Sequence, residues 1–270
     1  MTKIRMARTY AGKEILPVHC YAVGDTLVDT GIACEGDALV ALAAHLGIRR
    51  AIITHHHEDH AGNAHRLALA GIAIEAAART SAILERGVPI RFYQHLLWGN
   101  APRATPDATF SDIVQIGSYE ARVIPADGHC ADQVAFFVPS EGWLFAGDAF
   151  IHERVKVFRK DEDFGAMVAT VRRLLALDFD ALLCAHGPRL TNGRAAFAAK
   201  LEWLLSIESR VRELHARGCT DREITTRLAI PPAAFFKHFT LGDVSTANIV
   251  RSVLYGPAIR EELAGDAQLK

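Results

Sequence analysis

The run Thr54-His55-His56-His57-Glu58-Asp59-His60-Ala61-Gly62-Asn63 packs four imidazoles and two carboxylates into ten residues. Imidazole and carboxylate together are the donors of a divalent metal ion. On extended backbone His55 and His57 project to the same side, because side chains alternate with a period of two. Asp59 and His60 follow where the chain turns toward a helix, so they address a second point, and one segment begins two metal sites. His56 and Glu58 alternate away from these ligands and read as outward or supporting groups. Three further residues of ligand type stand just beyond short apolar strands: His129 in Gly128-His129-Cys130, Asp148 in Ala146-Gly147-Asp148-Ala149 and His186 in Ala185-His186-Gly187. Strand ends are where loops converge on one rim of a layered fold. The assignment is His55, His57 and His129 for one ion and Asp59, His60 and His186 for the other, with Asp148 able to bridge them. The cofactors expected are therefore two divalent ions. Mixed imidazole and carboxylate donors suit Zn²⁺, and Fe²⁺ and Mn²⁺ accept them too. Cys130 and Cys184, beside ligands, read as small buried hydrophobes.

The elements that must place these residues follow from periodicity. From residue 15 onward, short apolar runs rich in branched residues alternate with stretches of helical period, which predicts a mixed α/β architecture. Strands are expected over 15–23 and 26–28, and Asp29-Thr30-Gly31 ends the second. A helix over 36–46 is stopped by Gly47. The strand 51–54 feeds the histidine run, a helix over 61–69 leaves it, and the next strand is 72–76. Helices over 79–86 and 92–97 precede a loop with turn chemistry throughout, Trp98-Gly99-Asn100-Ala101-Pro102-Arg103-Ala104-Thr105-Pro106-Asp107. Short strands follow at 112–116, 121–125, 134–138 and 143–145, each ending in Gly, Asp or Pro. A helix over 164–177 and an apolar strand over 181–184 close this part. Beyond Gly187-Pro188 the chain reads as helical, which places a domain boundary near 192: a catalytic domain over 1–192 and a helical appendage over 193–270.

Composition narrows the class. A chain of 270 residues, half of them apolar, can bury a large core. With 30 Lys and Arg against 31 Asp and Glu, no global charge draws it to nucleic acid or an anionic membrane. Five cysteines without a C-x-x-C pair argue against a disulfide framework and a cysteine-based zinc knuckle. The N-terminal residues carry charge but no apolar stretch of signal type, and no run reaches the length of a membrane span. The expected localisation is cytoplasmic, with no membrane partner.

The order His55-x-His57-x-Asp59-His60, Gly128-His129, Gly147-Asp148 and Ala185-His186-Gly187 resembles the metallo-β-lactamase fold superfamily over residues 15 to 190. The resemblance is specific because separated segments agree where one motif could mislead. It implies an αββα sandwich with a dinuclear site at one edge, carrying here a small C-terminal helical, winged-helix-like appendage. Asp29, in Val28-Asp29-Thr30-Gly31, looks like the family's first motif; its implied role is to accept a hydrogen bond that fixes a ligand imidazole. The lactamases that use a cysteine ligand place it where this chain has Asp148, which favours a hydrolase over an antibiotic-resistance enzyme. Two ions about 3.5–4 Å apart would lower the pKa of a bridging water toward about 7, giving hydroxide as nucleophile. Asp59 would orient it while ligating, and Asp148 would hold both ions. No general acid stands out; His152, Tyr93 and His238 are candidates because their segments could reach the rim.

Three regions should shape the pocket for a small-molecule substrate. The stretch 92–107, with Tyr93, Trp98 and Arg103, could form a lid, although a surface helix and loop covering the core is the preferred reading. The segment His152-Glu153-Arg154-Val155-Lys156-Val157-Phe158-Arg159-Lys160 brings four basic residues, Arg154 and Lys156 among them, near the active edge, which would suit an anionic substrate, although most such charge runs are merely solvated. The tail has a capping box from Thr220 to Glu223 and then Pro231-Pro232 and Ala233-Ala234-Phe235-Phe236-Lys237-His238-Phe239. That segment resembles the helix-turn-helix part of appendages on lactamase-fold proteins, some of them ribonucleases, but its apolar face favours packing or a homodimer over nucleic acid.

The preferred activity is hydrolysis of a thioester or small ester, because Thr54-His55-His56-His57-x-Asp59-His60 looks like the glyoxalase II motif. The second Gly usual after that motif is missing here, where Asn63 follows Gly62. A metal-dependent ribonuclease or phosphodiesterase, suggested by the tail and by Ala185-His186-Gly187-Pro188, and a lactonase are the alternatives. A nucleic-acid-binding or scaffold protein with a vestigial site would instead be expected to have lost ligands, and all seven are present.

Overall fold

The computed structural model describes residues 1–87, 89–156, 158–230 and 237–256. The expectations for Val157, Pro231-Pro232 and residues 233–236 lie outside these. The chain forms two compact units, one comprising Met1–Ala126, Asp132–Ile151 and Leu177–Arg194, the other Asp127–Ala131, His152–Ala176 and Ala195–Lys270.

The first unit contains both sheets. Strands β1 (Thr2–Tyr10), β2 (Lys13–Val23), β3 (Thr26–Val28), β4 (Arg50–Ile53), β5 (Ala73–Ala77) and β6 (Ala108–Phe110) lie in sequence order in one sheet. The β1, β2 and β3 pairings are antiparallel, and those from β3 through β6 are parallel. The second sheet runs β11 (Ala181–Cys184), β10 (Trp143–Gly147), β9 (Val134–Val138), β8 (Tyr119–Pro125), β7 (Ile113–Ile116). Only its β10–β11 pairing is parallel. Strand alternation divides β2 between two cores. Val18, Cys20 and Ala22 join Leu39, Ala43, Ala64, Leu67 and Leu84 from helices α1 (Gly36–Leu46), α2 (Ala64–Leu69) and α3 (Ala78–Arg86). Tyr21 and Val23 instead meet Ile116, Phe136, Phe145 and Leu183 of the second sheet. A period of two thus gives one strand a helix-facing side and a sheet-facing side. Helix α4 (Phe92–Trp98) ends where the Arg8 guanidinium donates to the His95 and Leu96 carbonyls, a cationic C-terminal cap.

The second unit is helical: α5 (Phe164–Leu175), most of α6 (Gly193–Ala216), α7 (Asp221–Leu228) and α8 (Thr246–Tyr255). Asp163 caps α5 by accepting from the Ala166 N–H at 3.0 Å. The expected capping box is present on α7: the Thr220 hydroxyl accepts from the Glu223 N–H, and Glu223 Oε2 accepts from the Thr220 N–H at 2.8 Å. Two sheets flanked by helices, followed by C-terminal helices, is the architecture that the order of elements implies.

Candidate metal centre

Parallel pairing brings the ligand-bearing loops to common strand ends. Because β3 and β4 run side by side, Asp29 at the end of β3 meets Thr54 at the end of β4. Asp29 Oδ1 accepts from the Thr54 N–H at 2.8 Å and Oδ2 faces His60 Nδ1 at 2.8 Å. Asp29 holds left-handed backbone, φ 59°, which a short polar residue tolerates. Thr30 donates both its N–H and its hydroxyl to the His60 carbonyl, at 2.6 and 2.9 Å. In the other sheet β10 and β11 are parallel, so Asp148 and His186 also emerge at one end. Gln133 accepts from the Asp148 N–H at 2.9 Å while donating to the Ala126 carbonyl. A Cβ at Gly62 would fall 2.5 Å from the Gly31 carbonyl oxygen, so only glycine lets these two turns meet.

Asp59, His60, Asp148 and His186 each offer a ligand atom, and these atoms lie within 4.8 Å of one another. His60 Nε2 is 3.2 Å from Asp148 Oδ1; His186 Nε2 is 3.1 Å from Asp59 Oδ2 and 3.4 Å from Asp148 Oδ2. Burial opposes charge on every one of these groups. Even so, His186 and His60 hold the Asp148 carboxyl well below the usual carboxylate range, and His60 and His186 lower Asp59 as well. Against the same burial, Asp148 and Asp29 push His60 well above its ordinary value, and Asp148 and Asp59 raise His186 to about 10. Both nitrogens of His60 face carboxylate oxygens, an arrangement that calls for positive charge between them. A divalent cation meets the same demand for positive charge and frees Nε2 to coordinate, so the donor set fits a metal ion.

His55 and His57 lie beside this cluster. His55 Nε2 is 3.1 Å from His57 Nδ1, and the His55 and His60 ring centroids are 4.0 Å apart. His129 belongs to the second unit, where its Nδ1 meets Glu162 Oε1 at 2.5 Å. Glu162 Oε2 accepts from the Arg159 N–H at 2.9 Å. Of the two alternatives for His56 and Glu58, outward does not hold: Glu58 is buried, and His56 is turned onto buried Asp132, whose carboxylate meets its N–H at 3.0 Å and Nδ1 at 2.8 Å. The Thr80 hydroxyl donates to the same carboxylate. Cys184 is buried and Cys130 half-buried.

The residues expected around the substrate are scattered in environment. Tyr93 is buried in α4, Trp98 packs against the helix-facing core, and Arg103 is exposed. In the second unit His152 pairs with Glu153 at 3.0 Å, and Arg154, Lys156 and His238 are exposed. Sequence reasoning missed Thr30, Thr54, Asp132, Gln133 and Glu162, which hold the loops through backbone groups or ring nitrogens. No spacing rule flags such residues, because their partners are distant in the chain. Among the described residues no helix is long and apolar enough to cross a membrane.

Comparison with known proteins agrees with this architecture. The family model described as the Metallo-beta-lactamase superfamily matches residues 15–186. The chain is 30% identical over 248 residues to a hydroxyacylglutathione hydrolase from Rhodobacter capsulatus, covering 87% of this chain and 85% of that one. It is 25% identical to an atrochrysone carboxyl ACP thioesterase from Pseudocercospora fijiensis, over 76% of this chain and 54% of the other. A metallo-beta-lactamase family protein from Thermus thermophilus shares the fold, with TM-score 0.65 and 21% identity over 97% of this chain and 94% of that one. The chain belongs to the metallo-beta-lactamase superfamily and is a metal-dependent hydrolase.

Proposed function

We propose that this hydrolase cleaves thioesters of small acyl groups, using two divalent ions, with zinc the first choice. The observation that carries the reading is the largely buried cluster of Asp59, His60, Asp148 and His186 in a chain with relatives named hydroxyacylglutathione hydrolase and atrochrysone carboxyl ACP thioesterase. Asp59, His60 and His186 would hold one ion, and His55 and His57 would begin the set for another, with Asp148 shared. His129 is retained as a ligand on its motif, its Nδ1 already fixed by Glu162. When bound, the ions would polarise the acyl carbonyl and acidify water at neutral pH.

The chain's own residues do the positioning. Asp29 would accept a hydrogen bond from the Nδ1–H of His60, which leaves the lone pair of Nε2 free to face the cation. Asp59, buried and held against His186, offers a carboxylate oxygen that can accept a proton from the attacking water and orient it. Expulsion of the leaving group favours a thioester on energetic grounds. A thiol has a pKa of about 8.5, so its thiolate departs without a proton donor, whereas an alkoxide from an ester or ribose needs one. Two of the three candidate acids fit poorly: Tyr93 is buried in α4, and His152 is already paired with Glu153.

The test is a parallel assay of acyl thioesters, lactones, phosphodiesters and short RNA on one preparation of measured metal content. Thioester turnover dominant at about two ions per chain supports the reading. RNA or lactone cleavage with inert thioesters would overturn it.

A further inference from the structure

We propose that His19 and Tyr21 are positioning residues that set the place of the His186 imidazole by holding the carbonyls of Ala185 and Cys184. The inference rests on the metal-site reading of His186. It starts from a contrast between the two histidines of the buried cluster. His60 is fixed twice: Asp29 takes its Nδ1 and Thr30 holds its carbonyl with two donors. His186 has Asp59 and Asp148 at Nε2, but among the described residues nothing bonds its Nδ1. Its side chain keeps 17% exposure where that of His60 has none. Its strand, β11, is an edge strand, so it is paired on one side by β10 alone in the sheet. The direction of the ring is therefore set through the backbone that carries it.

That backbone is held by β2 of the other sheet. His19 and Tyr21 are two apart and share one face of the strand. The His19 N–H donates to the Ala185 carbonyl at 2.9 Å, and His19 Nδ1 lies 2.7 Å from the same oxygen. A carbonyl only accepts, so Nδ1 carries the proton. The Tyr21 hydroxyl donates to the Cys184 carbonyl at 2.7 Å. The His19 N–H can cross the sheets because β3 is three residues long and its pairing with β2 stops at Tyr21. The arrangement repeats the one at His60, where Thr30 also gives one backbone and one side-chain donor to a single carbonyl. Beyond His186 the return is tight: a Cβ at Gly187 would lie 2.5 Å from the Ile151 carbonyl oxygen, and Arg189 comes back to pair with Leu182. Shifts of Cys184 and Ala185 must therefore be carried into His186.

The experiment measures Zn²⁺ stoichiometry and affinity by competition with a chromophoric chelator, and the absorption spectrum of the Co²⁺-loaded protein, for His19→Ala, Tyr21→Phe, His19→Asn and His186→Ala in the full chain. Tyr21→Phe removes one oxygen and keeps the ring that packs edge-on to Phe145, so it tests the idea even if His19→Ala fails to fold. The expected result is a loss of about 10–100-fold in affinity for one ion in His19→Ala and Tyr21→Phe, the range typical of groups that orient ligands, with an altered Co²⁺ spectrum. His19→Asn, whose amide can replace the Nδ1 donor, should recover most of the loss. If His186→Ala loses an ion while folded Tyr21→Phe and His19→Ala bind both ions within about twofold of the parent, this inference is wrong and the metal-site reading stands. If His186→Ala itself binds both ions as the parent does, the metal-site reading fails.

Discussion

The strand-end rim of the first unit and the helical second unit are held together by opposite means. At the rim, buried polar groups face one another, each tied to a segment distant in sequence: Asp29 to Thr54 and His60, Gln133 to Asp148, Asp132 to His56 and Thr80. In the helical unit, apart from the His129–Glu162 pair and a few buried polar groups such as Lys200 and Asn248, burial is apolar, with Phe158, Phe164, Leu204, Val211, Ile249 and Val250 nearly inaccessible. Burying charges costs free energy that their mutual attraction offsets only in good geometry, whereas apolar burial is favourable without regard to direction. The rim is thus built for placement and the helices for stability. A change at the rim should move metal binding and rate; a change in the apolar core of the helices, away from His129 and Glu162, should move only the folding equilibrium.

The most severe way to break this contrast is at its polar extreme. Asp148→Ala should lower kcat/KM by more than about 100-fold, beyond the range for groups that merely orient ligands. Metal content per folded chain should fall with it; an active variant with full metal content would remove Asp148 from the site. The corresponding change among the helices is Leu204→Ala, which should cost about 2–5 kcal/mol in urea unfolding. The kcat/KM of its folded fraction should stay within about twofold of the parent, and a large loss there would show that the two regions are not separable. Asp29→Asn sharpens the rim side, with an expected loss of about 10–100-fold in metal affinity by chelator competition. Smallest is the α7 cap. Thr220→Ala should cost about 1 kcal/mol of stability by thermal or urea unfolding without touching metal content.

The same cap gives a pH signature. Hydrogen bonds from the Thr220 N–H and hydroxyl lower the Glu223 pKa below its ordinary value of 4.5. A depressed folded pKa means the stabilisation is present above pH 4.5 and fades as pH falls through the lowered value. Glu223→Gln should flatten that part of the stability profile, and an unchanged acid slope would rule the contribution out.

Much of the fold was legible because it is local. Helix 36–46 and strands 26–28, 134–138 and 181–184 coincide with the observed elements, since apolar period and flanking Gly or Asp mark them. β1 escaped notice: Ile4 and Met6 point inward in alternation with Lys3 and Arg5, a pattern too brief to separate from a charged leading segment. β6 is three residues long and exists through its parallel pairing with β5, which no local signal announces. Helix α2 begins at Ala64, three residues later than the 61–69 expectation. The residues before it are in a turn, where the Ala61 N–H donates to His57 and the Asn63 amide bonds the Thr30 and Ile32 carbonyls. Tyr93 illustrates the limit at the pocket, because an aromatic residue beside a loop reads the same whether it turns outward or, as here, into the core.

By itself, the sequence determined the chemistry on offer. The types and order of His55, His57, Asp59, His60, His129, Asp148 and His186 name a metal-dependent hydrolase, because coordination depends on donor atoms that the residue type supplies. Only the tertiary structure decided how those donors are held. Asp29 reaches His60 because β3 and β4 run parallel, and His19 and Tyr21 reach the peptide before His186 because a short β3 leaves β2 open to the second sheet. Such contacts join residues 31 to 166 positions apart, and hydrogen bonds at that separation depend on the folded path of the chain.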